Sequence, residues 1–216
     1  MHEPCLPGVD RPGGASEWAE LVPAVPAEWF LRPESACGIH GVGHTRRVGV
    51  HVLRLCAALD VPDAARDLAL AAARCHDLGR RHDGVEPEHG AGSVARVREL
   101  GLANGLVWAG DLSPAGLELV FFAIRQHSLD DETAHRAARR LAREPDGRGT
   151  ADGKRHHVAG GPDQGAAALE LLWILKDADA LDRVRLSLRG DVDPRYFRHP
   201  CTAGFVDFAW ELLSAI

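Results

Sequence analysis

The chain has 216 residues, of which 45% are hydrophobic, and its formal net charge at pH 7 is −6. This length supports one well-cored domain and is short for two. The acidic balance lacks the basic field that nucleic-acid binding favours, so a nucleic acid is not expected as the main partner.

Cysteine usage and the N-terminal stretch indicate the compartment. The five cysteines are odd in number and form no CxxC pair, which predicts reduced thiols rather than a disulfide framework or a zinc knuckle. The opening residues MHEPCLPGVDRPGG lack the basic and apolar regions of a signal peptide. No apolar run is long enough to span a bilayer. We therefore expect a cytoplasmic protein without a membrane partner.

The first two predicted helices occupy the N-terminal third of the chain. Residues 1–39 are expected to form an irregular segment and a helix, around 16–30 and capped by Ser16, that packs on the core. The next helix follows His40 and has an apolar stripe that begins at His44. His44 is therefore predicted to point inward, whereas His51 on the opposite face is predicted to be solvated.

The third and fourth predicted helices each carry an inward histidine. The third opens near Pro62 and is almost wholly apolar before it reaches His76 and Asp77. An imidazole and a carboxylate at the end of such a helix are costly unless something binds them, and a metal ion would do so. After a polar loop, His89 stands in the first turn of the fourth helix, on its inward stripe.

The remaining helices complete an all-α pattern. A serine and a proline begin a helix that places His127 on its buried face. A polar surface helix is predicted at about 131–143, and the composition of 144–162 is that of a mobile loop. The last long helix, about 164–188, places Asp177 among apolar neighbours, and an amphipathic helix ends the chain. The predicted fold is a single-domain helical bundle over residues 40–216, without a strand pattern.

Six inward-facing polar groups, four imidazoles and two carboxylates, form the predicted metal site. So many buried polar groups need a common partner. Mixed ligands of this kind suit a divalent transition metal, Mn, Fe, Co, Ni or Zn, better than Ca, with Mg as a further option. Six ligands exceed what one ion with an open catalytic position needs, so one or two ions are expected, with Asp77 as the natural bridge. The predicted ligands are His44, His76, Asp77, His89, His127 and Asp177.

The predicted ligands lie in five short motifs: HTRRV at 44–48, HDLGR at 76–80, EHG at 88–90, IRQHS at 124–128 and KDADALDR at 176–183. Together these motifs resemble the HD-domain metal-dependent phosphohydrolases. The resemblance covers roughly residues 40–188 and includes the order H…HD…D. With the additional pair, His89 and His127, the chain looks like the two-metal subset of the family. That subset includes HD-type diadenosine tetraphosphate hydrolases, cyclic-dinucleotide phosphodiesterases and di-iron oxygenases related to myo-inositol oxygenase. The GYP signature of the cyclic-di-GMP enzymes is absent, which disfavours that option.

The resemblance implies both a ligand arrangement and a reaction. The primary ion would be held by His44, His76, Asp77 and Asp177, and the second site would be completed by His89 and His127. Water bound to the metal would attack the phosphorus of a phosphate ester or anhydride, in a nucleotide or another small phosphorylated substrate.

Other residues are candidates for roles around this centre. By the resemblance, Asp179 would orient or deprotonate the water, and Arg80 would keep a positive charge for a substrate phosphate. His40 is a candidate contact to the substrate or leaving group, with a loop cap as the alternative. Four arginines could line a phosphate pocket, although each is also explained as a solvated or salt-bridged surface residue; they are Arg125, Arg183, Arg195 and Arg198.

Two alternatives to hydrolysis stay open at this point. A mixed-valent di-iron oxygenase would use the same ligands, so the sequence does not separate it from a hydrolase. A non-catalytic sensor module is disfavoured, because a module released from catalysis needs no open polar cage.

Overall fold

The computed structural model describes residues 13–102, 112–143, 162–186 and 192–216. Within these ranges there are eight α-helices and no β-strand, which confirms the predicted all-α single-domain fold. The helices are α1 Ala15–Glu20, α2 Val42–Ala58, α3 Asp63–Cys75, α4 His89–Glu99, α5 Pro114–Gln126, α6 Asp131–Leu141, α7 Pro162–Leu181 and α8 Val206–Ala215. Short 3₁₀ segments cover Ala27–Trp29, Pro33–Cys37, Asp182–Leu186, Pro194–Tyr196 and Pro200–Phe205.

Helix α7 lies at the centre of the bundle, in contact with α2, α3, α5 and α6. Its sequence is apolar on most sides, and Leu172, Leu175 and Ala178 are fully buried. A helix that is hydrophobic all round belongs in a core, where it is covered by neighbours on several faces. The helix ends at Leu181 and continues as a 3₁₀ segment, so the single helix predicted to reach residue 188 is divided in two.

Helix α3 runs between α2, α5 and α7. The apolar run from position 69 to 73, four alanines and Leu70, is almost wholly buried, and its alanines allow the neighbouring helices to approach closely. The helix ends with His76 at its C-cap, and Asp77 follows directly. This path carries both polar residues into the middle of the bundle, as the apolar run before them predicts.

The N-terminal segment differs from the expected helix at 16–30. Helix α1 spans only Ala15–Glu20 and has Gly14, not Ser16, at its N-cap. Pro23 and Pro26 lack an amide hydrogen, so the chain after α1 continues as a loop and a 3₁₀ turn. Arg46 of α2 holds this segment by donating hydrogen bonds to two of its carbonyl groups.

His51 is buried rather than solvated, which corrects the prediction for that face of α2. Its side chain lies edge-on to the ring of Phe208 in α8, with 6.2 Å between ring centroids. Helix α8 covers this face together with α1, and Arg54 also stacks on the Phe208 ring. The polar residues of α2 therefore lie at a helix–helix contact, which the periodicity of one helix does not reveal.

Two other predicted helices, α5 and α6, are present in the structure. Ser113 caps α5 by accepting a hydrogen bond from the amide of Gly116 at 3.1 Å, and α6 matches the predicted polar helix. The mobile loop predicted at 144–162 lies outside the described residues except for Pro162, which already belongs to α7. In the described part of the chain, no helix combines the length and the hydropathy needed to cross a membrane.

Candidate metal centre

Four histidines and two aspartates from five helical regions meet inside the bundle. They come from α2, the end of α3, the start of α4, the end of α5 and the last part of α7. The histidines and Asp77 are buried, whereas the side chain of Asp179 is 35% exposed and marks the open side of the cluster. The members of this cluster are His44, His76, Asp77, His89, His127 and Asp179.

Three of the histidines are anchored in the same way, through a backbone carbonyl three residues earlier. The Nδ1 of His76 lies 2.7 Å from the carbonyl of Ala73, and that of His127 lies 2.7 Å from the carbonyl of Ile124. His89 repeats the contact with the carbonyl of position 86 at 2.5 Å, and this acceptor, closer to Nδ1 than Nη1 of Arg80 at 3.0 Å, sets its tautomer. Because a carbonyl only accepts, Nδ1 donates its proton there and Nε2 of the neutral ring carries a lone pair.

His44 has the same tautomer, but its Nδ1 faces a side chain instead of a backbone carbonyl. Its Nδ1 lies 2.7 Å from Oδ2 of Asp182, a buried carboxylate that can accept the Nδ1 proton. All four histidines therefore turn an Nε2 lone pair toward the interior of the cluster. This common tautomer is the one that binds a metal ion through Nε2.

The Nε2 atoms are too close to one another for neutral rings without an intervening cation. The Nε2 atoms of His44 and His76 are 3.1 Å apart, and those of His89 and His127 are 2.7 Å apart. With the Nδ1 protons used elsewhere, each pair brings two lone pairs together. Such a donor set fits a divalent ion, which attracts lone pairs that would otherwise repel one another.

Asp77 lies between the two histidine pairs. Its Oδ2 is 3.4 Å from Nε2 of His44, and its Oδ1 is 3.0 Å from Nε2 of His89. Oδ1 is buried and has no hydrogen-bond partner, an arrangement that is costly for a carboxylate unless a cation is present. This orphaned oxygen is a second observation that fits a metal ion, and its position suits a bridge between two ions.

Candidate ligand atoms group around more than one point of the cluster. Within each group they lie within 4.8 Å of one another, so each group could hold one ion. The groups share members, as expected for one ion or for two adjacent ions. They are His44, His76 and Asp179; His76, Asp77 and His127; and His40, His44 and Asp77.

Burial and charge set the protonation of the cluster. Burial lowers the pKa of His76 to about 3, so the ring is neutral at physiological pH and keeps its lone pair. Burial also lowers the pKa of His44, but its hydrogen bonds to Asp182 and Asp77 outweigh this effect and raise the pKa. Burial alone would raise the pKa of Asp77 and Asp179. The surrounding histidines lower both pKa values by more than burial raises them, so both carboxylates are ionised.

Two glycines allow helix α4 to come close enough for His89 to join the cluster. A Cβ atom on Gly79 would lie 2.1 Å from the backbone carbon of Gly92, and one on Gly90 would lie 2.3 Å from the carbonyl oxygen of Ile124. Real Cβ contacts are never this short, so both positions require glycine. The approach of α4 to α5 sets His89 beside His127.

Asp177 does not belong to the cluster, which corrects its predicted place among the ligands. Its carboxylate is fully buried and accepts hydrogen bonds from the amides of Arg198 and His199 at 2.7 and 2.8 Å. It also accepts from Oγ1 of Thr202 at 2.7 Å. Asp179 points to another side of α7, and its Oδ1 lies 3.4 Å from Nε2 of His44.

Two residues expected near a substrate do lie beside the cluster. Arg80 places Nη1 3.7 Å from Oδ1 of Asp77 and 3.0 Å from Nδ1 of His89, and its Nη2 donates to the carbonyl of Gly84. His40 places Nδ1 2.9 Å from Oδ2 of Asp77, and 19% of its side chain is exposed. His40 is therefore partly accessible beside the cluster, whereas the side chain of Arg80 is only 9% exposed.

Three of the other predicted phosphate contacts have partners outside the cluster. The guanidinium of Arg198 pairs with Asp131, because α6 offers a carboxylate beside it. Arg183 is exposed and stacks on Tyr196, and Arg195 pairs with its neighbour Asp193. Arg125 forms no hydrogen bond or ion pair within the described part of the chain.

Sequence reasoning missed the residues that support His44. Asp182 accepts hydrogen bonds from Arg47 and Arg185 in addition to His44, and Arg185 also donates to the carbonyl of Ile39. The available signal was the spacing of Arg47, three positions after His44 and therefore on the same face of α2.

Comparison with known proteins agrees with this geometry. The family model named HD domain matches residues 41–184, well over half of the chain. A search of curated proteins gives no match, and a search of solved structures gives none either. The matched range contains all six members of the histidine and aspartate cluster. The chain belongs to the HD domain family.

Proposed function

We propose that this protein is a metal-dependent phosphohydrolase that cleaves a phosphate ester or anhydride of a nucleotide or another small phosphorylated molecule. HD domain proteins are commonly metal-dependent hydrolases, and the finer assignment is our proposal. It is carried by one observation: four Nε2 lone pairs and two carboxylates converge in one cluster inside the bundle, which is open on the side of Asp179. The cofactor would be one or two divalent transition-metal ions.

The ligands are proposed residue by residue. The primary ion would be held by His44, His76 and Asp77, with Asp179 in the position expected of Asp177. His89 and His127 would complete a second site on the Oδ1 side of Asp77. A bound ion of this kind acidifies water and offsets the negative charge that builds up on phosphoryl oxygens.

Asp179 is suited to two tasks because it is the most exposed member of the cluster. One carboxylate oxygen faces His44 Nε2 and can serve as a ligand. The other can accept a hydrogen bond from the attacking water and so orient its lone pair toward phosphorus. Its lowered pKa keeps the carboxylate ionised and able to accept that proton.

Arg80 and His40 would contact the substrate from opposite sides of Asp77. The guanidinium of Arg80 lies beside Oδ1 of Asp77, with Nη1 3.7 Å away, and would offer a positive charge and N–H donors to a phosphoryl oxygen bound there. His40 is part-exposed beside Oδ2 of Asp77 and could donate a hydrogen bond to the leaving group. The two cationic or protonatable groups suit an anionic substrate.

The proposal is tested with a panel of nucleotides, dinucleotides and simple phosphodiesters, assayed with Mn²⁺ or another divalent ion. We expect release of phosphate or of a nucleotide that is abolished by His76→Ala or Asp77→Ala. Arg195→Ala serves as a control, because Arg195 is exposed and pairs with Asp193, its one ion-pair partner among the described residues. Metal-loaded protein without turnover on the panel would argue against hydrolysis.

The same assay separates hydrolysis from the oxygenase alternative. A hydrolase works anaerobically with Mn²⁺. Oxygen consumption by iron-loaded protein on adding a small molecule, with no hydrolysis, would overturn the proposal.

A further inference from the structure

Asp182 is a buried carboxylate that the proposed reaction does not use. It is the first residue of the 3₁₀ segment that follows α7, and its side chain is fully buried. Oδ2 lies 2.7 Å from Nδ1 of His44, and Oδ1 accepts from Nε of Arg47 at 2.6 Å. Nη1 of Arg185 donates to Oδ2 at 2.9 Å. Both oxygens are therefore engaged by positive or protonated groups.

We propose that Asp182 is a positioning residue that holds His44 in the tautomer and orientation that present Nε2 to the metal centre. This inference rests on the proposed metal dependence, but not on any particular substrate. A carboxylate that is ionised can only accept, so the proton between Asp182 and His44 belongs to Nδ1. The lone pair is then left on Nε2, which faces His76 and Asp179.

The two arginines keep the carboxylate in place and ionised. An isolated buried carboxylate is strongly unfavourable, and pairing with guanidinium groups offsets this. Arg47 contacts it through Nε and Nη2, a two-point contact that fixes the plane of the carboxylate. Arg47 and His44 lie three positions apart on α2, so one face of this helix presents both groups to Asp182.

Arg185 extends the same network to the turn before α2. Its Nε donates to the carbonyl of Ile39 at 3.0 Å, and its Nη2 lies 3.5 Å from Nδ1 of His40. Asp182 therefore holds His44 directly and, through Arg185, the backbone next to His40.

His44 differs in this respect from the other three histidines of the cluster. They are oriented by backbone carbonyls three residues earlier in the chain, which no substitution removes. The support of His44 comes from a side chain far along the sequence. Substitution of Asp182 therefore tests positioning without altering any proposed ligand.

The experiment compares Asp182→Asn with Asp177→Asn by titrating the metal-free proteins with Co²⁺. Both aspartates are fully buried and lie near the end of α7, but Asp177 binds the 198–202 segment instead of the cluster. Asparagine can turn its NH₂ group toward Nδ1 of His44, which favours the tautomer that blocks Nε2. We expect Co²⁺ affinity to fall about 10- to 100-fold in Asp182→Asn and to stay within about twofold in Asp177→Asn.

Folded Asp182→Asn protein with wild-type Co²⁺ affinity would overturn the inference. Equal losses in both variants would also overturn it, because they would show a general effect of destabilisation. If Asp182→Asn does not fold, a long-range ¹H–¹⁵N spectrum of the metal-free wild-type protein gives the answer, because no ion then imposes the tautomer. A proton on Nδ1 of His44, shared with a carboxylate, supports the proposal, and a proton on Nε2 contradicts it.

These readouts need no substrate. A protein that binds Co²⁺ through the supported His44 but hydrolyses nothing would retain this inference while the proposed reaction fails.

Discussion

Asp179 Oδ1 lies 3.4 Å from Nε2 of His44, across the contact between α7 and α2. Asp177 precedes Asp179 by two positions, and residues two apart on a helix point about 200° away from each other. The same helix thus sends one carboxylate into the cluster and another into the 198–202 segment. The two aspartates therefore contact different parts of the fold, although their surroundings in the sequence are similar.

Substitution of these two aspartates is expected to give opposite patterns. Asp179→Asn removes a negative oxygen from the cluster, so metal-dependent turnover should fall by at least about 100-fold, with a modest change in stability. Asp177→Asn should keep kcat/KM within about threefold, because its contacts lie outside the cluster. It should instead lower the free energy of unfolding by about 3 kcal/mol, since a buried, multiply hydrogen-bonded carboxylate is lost. Steady-state kinetics and urea unfolding measure both; the reverse pattern would place Asp177 in the centre.

Chelation of the bound ion is expected to lower the thermal stability of the protein. Without a cation the facing Nε2 atoms and the orphaned Oδ1 of Asp77 destabilise the folded state. An ion at about 100 times its Kd stabilises by about 2.7 kcal/mol, which corresponds to a Tm increase of about 5–10 °C for a chain of this size. Differential scanning calorimetry with and without EDTA checks this.

The control for chelation is His76→Gln, which lacks one proposed ligand. Its Tm should respond to EDTA and to added Mn²⁺ by less than about a third of the wild-type shift. If the wild-type Tm changed with neither EDTA nor Mn²⁺, the cluster would hold no ion in solution.

The inward orientation of the cluster histidines could be predicted from the sequence, because it follows from patterns among neighbouring residues. His76 ends a helix of small apolar residues, and His44 and His127 belong to buried faces that the helical period reveals. These signals depend only on residues nearby in the sequence. The all-α fold could be predicted for the same reason.

The distinction between Asp177 and Asp179 could not be predicted from α7 alone. Both are compatible with a buried position, and the partner that removes Asp177 from the cluster is the 198–202 segment, about twenty residues later. The burial of His51 could not be predicted for the same reason, because it is covered by α8, which lies near the other end of the chain. Contacts across such sequence distances leave no periodic signal.

Gly90→Ala is expected to weaken the second half of the metal centre. The added Cβ would lie 2.3 Å from the carbonyl oxygen of Ile124, so α4 must move away from α5 and carry His89 with it. We expect Co²⁺ affinity to fall about tenfold or more and the free energy of unfolding to fall by about 1–3 kcal/mol. Titration calorimetry and urea unfolding measure the two effects.

Gly204→Ala is the matched control, because a Cβ at Gly204 would meet nothing within 4 Å. It should change the free energy of unfolding by less than about 0.5 kcal/mol and leave Co²⁺ affinity unchanged. If Gly90→Ala behaved like this control, the close approach of α4 to α5 would not be needed for the cluster.

Acid is expected to destabilise the protein partly through His51. Burial, reinforced by Arg47 and Arg54, lowers the pKa of this imidazole to about 4 in the folded state. The unfolded chain takes up the proton near pH 6.5 and the folded chain does not, so stability falls as the pH drops from 6.5 to 4. The full effect is about 3 kcal/mol.

His51→Leu should remove this component and leave stability at pH 7 nearly unchanged, because neither ring nitrogen has a hydrogen-bond partner. Urea unfolding of both metal-free proteins at several pH values gives the difference, and parallel pH profiles would contradict the assignment.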